Sequence, residues 1–115
     1  MTKQLDSIEI IRRIIITPLG STVMRPWFGS LLFELIDKTV NDEWVLDATR
    51  YTHEAIERYE ANKENYPSMA SAVELVVEKV LVQTGEVVSI HIEYKENGQT
   101  RTLDLGFGEV VDATV

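Results

Sequence analysis

Apolar residues recur at helical spacing near the start of the chain. In LDSIEIIRRIII, Ile8, Ile11 and Ile15 fall on one face, with Ile14 beside them, which predicts an amphipathic helix. Its start is marked by Asp6 as a cap, by Glu9 three residues later to complete a capping box, and by Leu5 and Ile10 at staple positions. Arg12 and Arg13 point away from that face in the C-terminal half, where cations suit the helix dipole. Pro18 disfavours helical geometry at Thr17 and ends the pattern.

A second helical stripe runs through Val45, Ala48, Thr52, Ala55, Ile56 and Tyr59 and starts at Asn41 or Asp42. Glu54 and Arg58 form an i,i+4 pair outside it, and the pattern fades near Asn62. Between the two helices, Ser30 is placed to cap a short helix over 31–36, and Thr17-Pro18-Leu19-Gly20 fits a type I turn.

After Ala72 the periodicity changes. VELVVEKVLV is β-branched and partly alternating, and VVSIHIEY alternates cleanly. Asn97-Gly98 is a strong hairpin signal and fixes a register: Ile92 against Leu103 and Ile90 against Leu105 on one face, His91 against Asp104 and Glu93 against Thr102 on the other. Helices followed by strands, without alternation, predict an α+β fold: N-terminal helices packed on a small three-stranded antiparallel sheet with a C-terminal β-hairpin, in one domain spanning 1–115.

The 115 residues are 44% hydrophobic and 26% charged, the composition of a globular domain. Nineteen acidic residues against eleven basic ones give a net charge of −8, which argues against nucleic acid and anionic lipid as partners and leaves a protein partner open. There are no cysteines, which removes disulfides, thiolate metal sites and thiol nucleophiles together. Apolar runs are too short for a membrane span or a signal h-region, so synthesis and assembly are expected in the cytoplasm.

Candidate chemistry is sparse. HEAIE, from His53 to Glu57, resembles the start of a zinc-protease motif but has Glu57 where the second His belongs. His91 with Asp104 reads as a cross-strand polar pair, since no nucleophile is predicted near it. Glu60 and Glu64 could be drawn as a glycosidase pair, as could carboxylates on any acidic helix. Gly20 and Gly29 lack the Lys-Ser or Lys-Thr of a phosphate loop, and no helix pattern follows the closing GFGE. The expectation is a protein that is not an enzyme and holds no cofactor or metal.

The stretch TPLGSTVMRPWFGS, Thr17 to Ser30, packs two prolines, two glycines and five other apolar residues together, without Cys, His, Asp or Glu. Within IRRIIITPLGSTVMRPWFGSLLFELID, the residues Thr17, Pro18, Gly20, Val23, Met24, Arg25, Pro26, Phe28 and Gly29 resemble the GPW-type baseplate wedge family of contractile injection systems. That family includes phage tail baseplates, R-type tailocins and the TssE-like component of type VI secretion. The resemblance departs in two places. Ser21 and Thr22 stand where members often have an Arg, and Glu60-Ala61-Asn62, with Pro67 further on, stands where many have a Glu-Pro-Arg motif closing the long helix. Of that motif only Glu60 carries over.

The resemblance implies a structural baseplate protein of a sixfold tail. It would join wedge subunits and template the first ring of tail sheath protein by strand addition, without contact to nucleic acid or membrane. It implies a location in the tail baseplate of a virion or tailocin particle, and the short leader before the first helix suits those over a secretion system. Arg25 and Trp27 are candidate interface residues, both being types enriched at binding hot spots, and Trp27 occupies a place often polar in the family. Phe28 and Met24 read equally well as core cover. The alternatives are a small peptidoglycan-acting hydrolase of lysozyme type, and an adaptor of the same fold that regulates another bacterial protein.

Overall fold

A computed structural model describes residues 7–63 and 74–114. The elements run α1 (Ser7–Ile16), a 3-10 helix (Leu32–Leu35), α2 (Asp42–Asn62), β1 (Leu75–Gln83), β2 (Ser89–Glu96), β3 (Gln99–Gly106) and α3 (Phe107–Thr114). The fold is α+β, with the helices on one face of a three-stranded antiparallel sheet of order β1-β2-β3.

The β2–β3 hairpin forms in the register that the Asn97-Gly98 turn dictates. Ile92 pairs with Leu103, Ile90 with Leu105, His91 with Asp104 and Glu93 with Thr102. Both turn residues have positive φ, 49° and 83°, as a two-residue hairpin turn of this kind needs. Ile90, Ile92, Tyr94, Leu103 and Leu105 are all buried toward the helices. On β1 the ladder slips at Glu78, between Val77 and Lys79. That bulge explains the imperfect alternation of VELVVEKVLV, because it keeps Val80 and Val82 on the same face as Leu75 and Val77.

In α1 the buried residues are Ile10, Ile11, Ile14 and Ile15, with Ile8 only partly covered. The buried face therefore lies further round the helix than the Ile8–Ile11–Ile15 stripe predicts. Burying four isoleucines contributes about 1.5–3 kcal/mol each. A ten-residue helix is marginal on its own, so this packing holds it. Leu5 and Asp6, the expected staple and cap, lie outside the described residues. Ser7 is buried, with its Oγ 3.0 Å from the Tyr94 hydroxyl and accepting from Arg101 Nη1 at 3.2 Å, which ties α1 to the sheet.

Asn41, not Asp42, caps α2: its side chain accepts from the Trp44 amide at 2.9 Å. The expected stripe is buried from Ala48 to Tyr59, whereas Val45 is only partly covered and its place is taken by Trp44. The Trp44 indole donates to the Leu35 carbonyl at 3.0 Å and meets the ring of Phe107 edge-on at 5.0 Å. The predicted Glu54–Arg58 pair does not form. Glu54 instead faces Arg50 at 3.6 Å, while Nε and Nη2 of Arg58 are buried without a hydrogen-bond partner.

Two further expectations need correcting. The segment after Ser30 tightens into a 3-10 helix over Leu32–Leu35, and Ser30 contributes only a long contact from Leu32 N, at 3.4 Å. A helix does begin within GFGE and run on from it: α3 buries Phe107 and Val110, and Arg12 on α1 pairs with Glu109 at 2.6 Å. Eight residues with two apolar anchors are too few to show a period in the sequence.

Candidate functional site

The segment between α1 and the 3-10 helix is a loop closed at its base. Leu19 N donates to Ser30 O and Ser30 N to Thr17 O, both at 2.9 Å, making a parallel bridge at Pro18 and Ser30. The Ser30 hydroxyl donates to the Ile15 carbonyl at 2.7 Å, which fixes the bridge to the end of α1. Gly29, at φ +119°, lies where a Cβ would meet the Thr17 carbonyl oxygen at 2.5 Å, so only glycine fits.

Within the loop, the first turn spans Pro18 to Ser21, one residue later than the sequence suggests. Ser21 N donates to Pro18 O at 3.1 Å, and Gly20 takes the third position at φ +86°, which a type I turn does not use. A second turn places Val23 and Met24 in its middle, closed by Arg25 N to Thr22 O at 3.1 Å, and a third is closed by Phe28 N to Arg25 O at 3.0 Å.

The loop's apolar residues divide sharply. Phe28 is buried and meets the rings of Trp27 and Tyr59 edge-on, at 6.1 and 6.3 Å. Trp27 is half-buried, 6.2 Å from the Tyr59 ring. Arg25 stands over Phe28 with its guanidinium carbon 6.0 Å from the ring centre. Val23 and Met24 are 92% and 73% exposed, so Met24 belongs to the surface and not to the core.

Glu60 lies elsewhere. Its carboxylate accepts from Lys63 Nζ at 2.9 Å and from the Leu75 amide at 3.3 Å, joining the end of α2 to the start of β1. There Ile56, Glu57, Glu60, Leu75, Val76 and Val77 line a groove of about 380 Å³. Arg25 and Trp27 thus share Phe28 as a neighbour, and Glu60 forms part of a second surface. The sequence offered no signal for this groove, because it joins residues about fifteen to twenty positions apart.

The outer face of the sheet is mixed. Val76 and Leu81 are exposed opposite Lys95 and His91. His91 Nδ1 is 2.6 Å from Asp104 Oδ1, and its Nε2 is 3.9 Å from Glu93 Oε2, on the same face of the sheet. Each of the outer strands, β1 and β3, pairs on one side only among the described residues.

Gly106 N donates to the Glu109 carboxylate at 3.1 Å, so the protein's own anion occupies the start of α3, where a phosphate would have to bind. His53 is half-buried on α2, and Glu57, one turn on, is exposed at the rim of the groove. Glu64 lies outside the described residues. Among the described residues no three His, Cys, Asp or Glu side chains gather as a metal site, and no helix is long and apolar enough to cross a membrane.

No protein-family model and no curated protein matches the chain. Among solved structures, it is similar to a protein of Geobacter sulfurreducens provisionally named a tail lysozyme. The TM-score is 0.69 at 22% identity, covering 92% of this chain and 95% of that one. The two chains share a fold over nearly their whole lengths.

Proposed function

We propose that the chain is a structural, non-catalytic component of a contractile tail baseplate in a phage or tailocin. It joins wedge subunits and starts the first sheath ring by accepting strands on its sheet. The observation that carries this reading is the fold shared, over nearly the whole chain, with a protein named for a tail. The resemblance of Thr17–Ser30 to the GPW-type wedge family supports it independently of the backbone.

The sheet supplies a physical means. Among the described residues, the outer sides of β1 and β3 offer backbone N–H and C=O groups that an extended segment can pair with. In strand addition those main-chain bonds provide the attachment and side-chain pockets select the register. Partners on this reading are the tail sheath protein and the wedge subunits, in a sixfold particle assembled in the bacterial cytoplasm.

The name of the structural neighbour favours one other reading, a cell-wall hydrolase. Glu57 and Glu60 are its best candidates, since they border one groove. Glu60, however, is already engaged by Lys63 and the Leu75 amide and so holds β1 against α2.

Two assays separate the readings. Purified tail particles should contain the chain in fixed ratio to sheath and wedge subunits, and the isolated chain should clear no zone on a peptidoglycan gel. Absence from particles, or a cleared zone lost in Glu60→Gln, would overturn the proposal.

A further inference from the structure

The loop tip is the most exposed apolar feature among the described residues. Val23 and Met24 are adjacent and point outward together. The other exposed large apolar residues (Val40, Leu46, Val76, Leu81 and Val87) are separated along the chain, and such single exposures are ordinary. The tip is also built to stay in place. Three turn bonds, the Pro18–Ser30 bridge and the Ser30–Ile15 hydroxyl bond close the loop on itself, and Phe28 and Trp27 anchor it against Tyr59. A protein gains no stability by holding two apolar side chains in water on a rigid support. A binding partner gains, because the tip loses little conformational entropy on docking.

The charge around the tip indicates what it meets. No acidic residue occurs between Glu9 and Glu34, although the chain carries a net charge of −8. Arg25, beside the tip, is the loop's single charge, and its guanidinium is steered over the Phe28 ring. The surface is therefore apolar with one positive edge on an otherwise acidic molecule.

We infer that Val23 and Met24 form a docking knob that seats in an apolar recess of a partner protein, with a partner carboxylate at the rim to receive Arg25. This deepens the baseplate reading by moving the loop's contact from Trp27, which is half-buried against Tyr59, to the tip. A second copy of this chain is a poorer occupant, since two acidic molecules repel. An anionic membrane is a poorer one for the same reason.

The test uses the full chain in the cells that produce the particle. In Val23→Ser/Met24→Ser the melting temperature stays within about 2 °C of wild type, as expected for exposed positions. Incorporation into particles falls at least about tenfold, as for loss of a hot spot. Arg25→Glu lowers incorporation further than Arg25→Gln. Met24→p-benzoylphenylalanine cross-links to apolar residues of a partner subunit that lie beside an Asp or Glu, and Leu46→p-benzoylphenylalanine does not.

Wild-type incorporation of the double variant would overturn the inference. So would cross-links from position 24 only to another copy, or sedimentation of the wild-type chain, but not the double variant, with phosphatidylglycerol vesicles. If the wild-type chain is absent from particles, the baseplate reading fails instead. The adducts at position 24 then still decide whether the knob has a protein partner.

Discussion

A Cβ on Gly29 would stand 2.5 Å from the carbonyl oxygen of Thr17, so the two ends of the loop meet at a point where no other side chain fits. Gly29→Ala forces either the Pro18–Ser30 bridge or the φ of +119° to give way. The expected cost is about 3 kcal/mol or more, from backbone strain plus the clash. Gly20, with a positive φ but open space around it, is the control, and alanine there should cost about 1 kcal/mol. Chemical denaturation of both variants checks the difference.

Arg58 makes the opposite case. Its Nε and Nη2 are buried with no hydrogen-bond partner, whereas Arg101 donates to Glu96 at 2.8 Å and to Ser7. Replacing an uncompensated guanidinium by an unbranched apolar side chain removes a desolvation penalty and keeps the packing. Arg58→Met should therefore leave stability unchanged or raise it by up to about 2 kcal/mol, read from denaturant midpoints at constant slope. A loss of more than about 1 kcal/mol would mean that the guanidinium is bonded in solution.

Ser7 joins the first helix to the sheet through Tyr94 and Arg101. Ser7→Ala removes both bonds, at an expected cost of about 1–3 kcal/mol for the pair. A double-mutant cycle with Tyr94→Phe should give a coupling of about 1 kcal/mol, because the two residues touch.

The start of the long helix separates two neighbours that the sequence leaves equivalent. Asn41→Ala should cost about 1 kcal/mol, since its side chain holds the Trp44 amide. Asp42→Ala, in the first turn but not at the cap, should cost only a few tenths through the helix dipole. Thermal melts at low salt resolve the two.

These cases show where the sequence was legible. Local chemistry carried the hairpin, because Asn97-Gly98 fixes the turn and the alternation of Ile90, Ile92, Leu103 and Leu105 then fixes the register. The stripe on the long helix was legible for the same reason. What stayed hidden depends on residues far apart in the chain. Trp44 falls outside the stripe until Leu35 and Phe107 come to meet it, and the closing helix shows no period because it is held by Arg12 and the core.

The surfaces were half legible. The density of Pro, Gly and apolar residues in Thr17–Ser30 marked that loop as special, but composition cannot say which apolar residues turn inward. Phe28 does, Trp27 does in part, and Val23 and Met24 do not. Glu60 stood out only by likeness to a motif, and its bonds to Lys63 and Leu75 depend on where β1 begins.

The most direct test of the account is an electron-microscopy reconstruction of the intact tail particle at a resolution that traces main chain. The account predicts density for this chain at the baseplate, next to the first sheath ring, with an extended segment of a neighbouring subunit hydrogen-bonded along the outer side of β1 or β3. A baseplate in which this chain is present but both outer strands face solvent or the chain's own segments would contradict it.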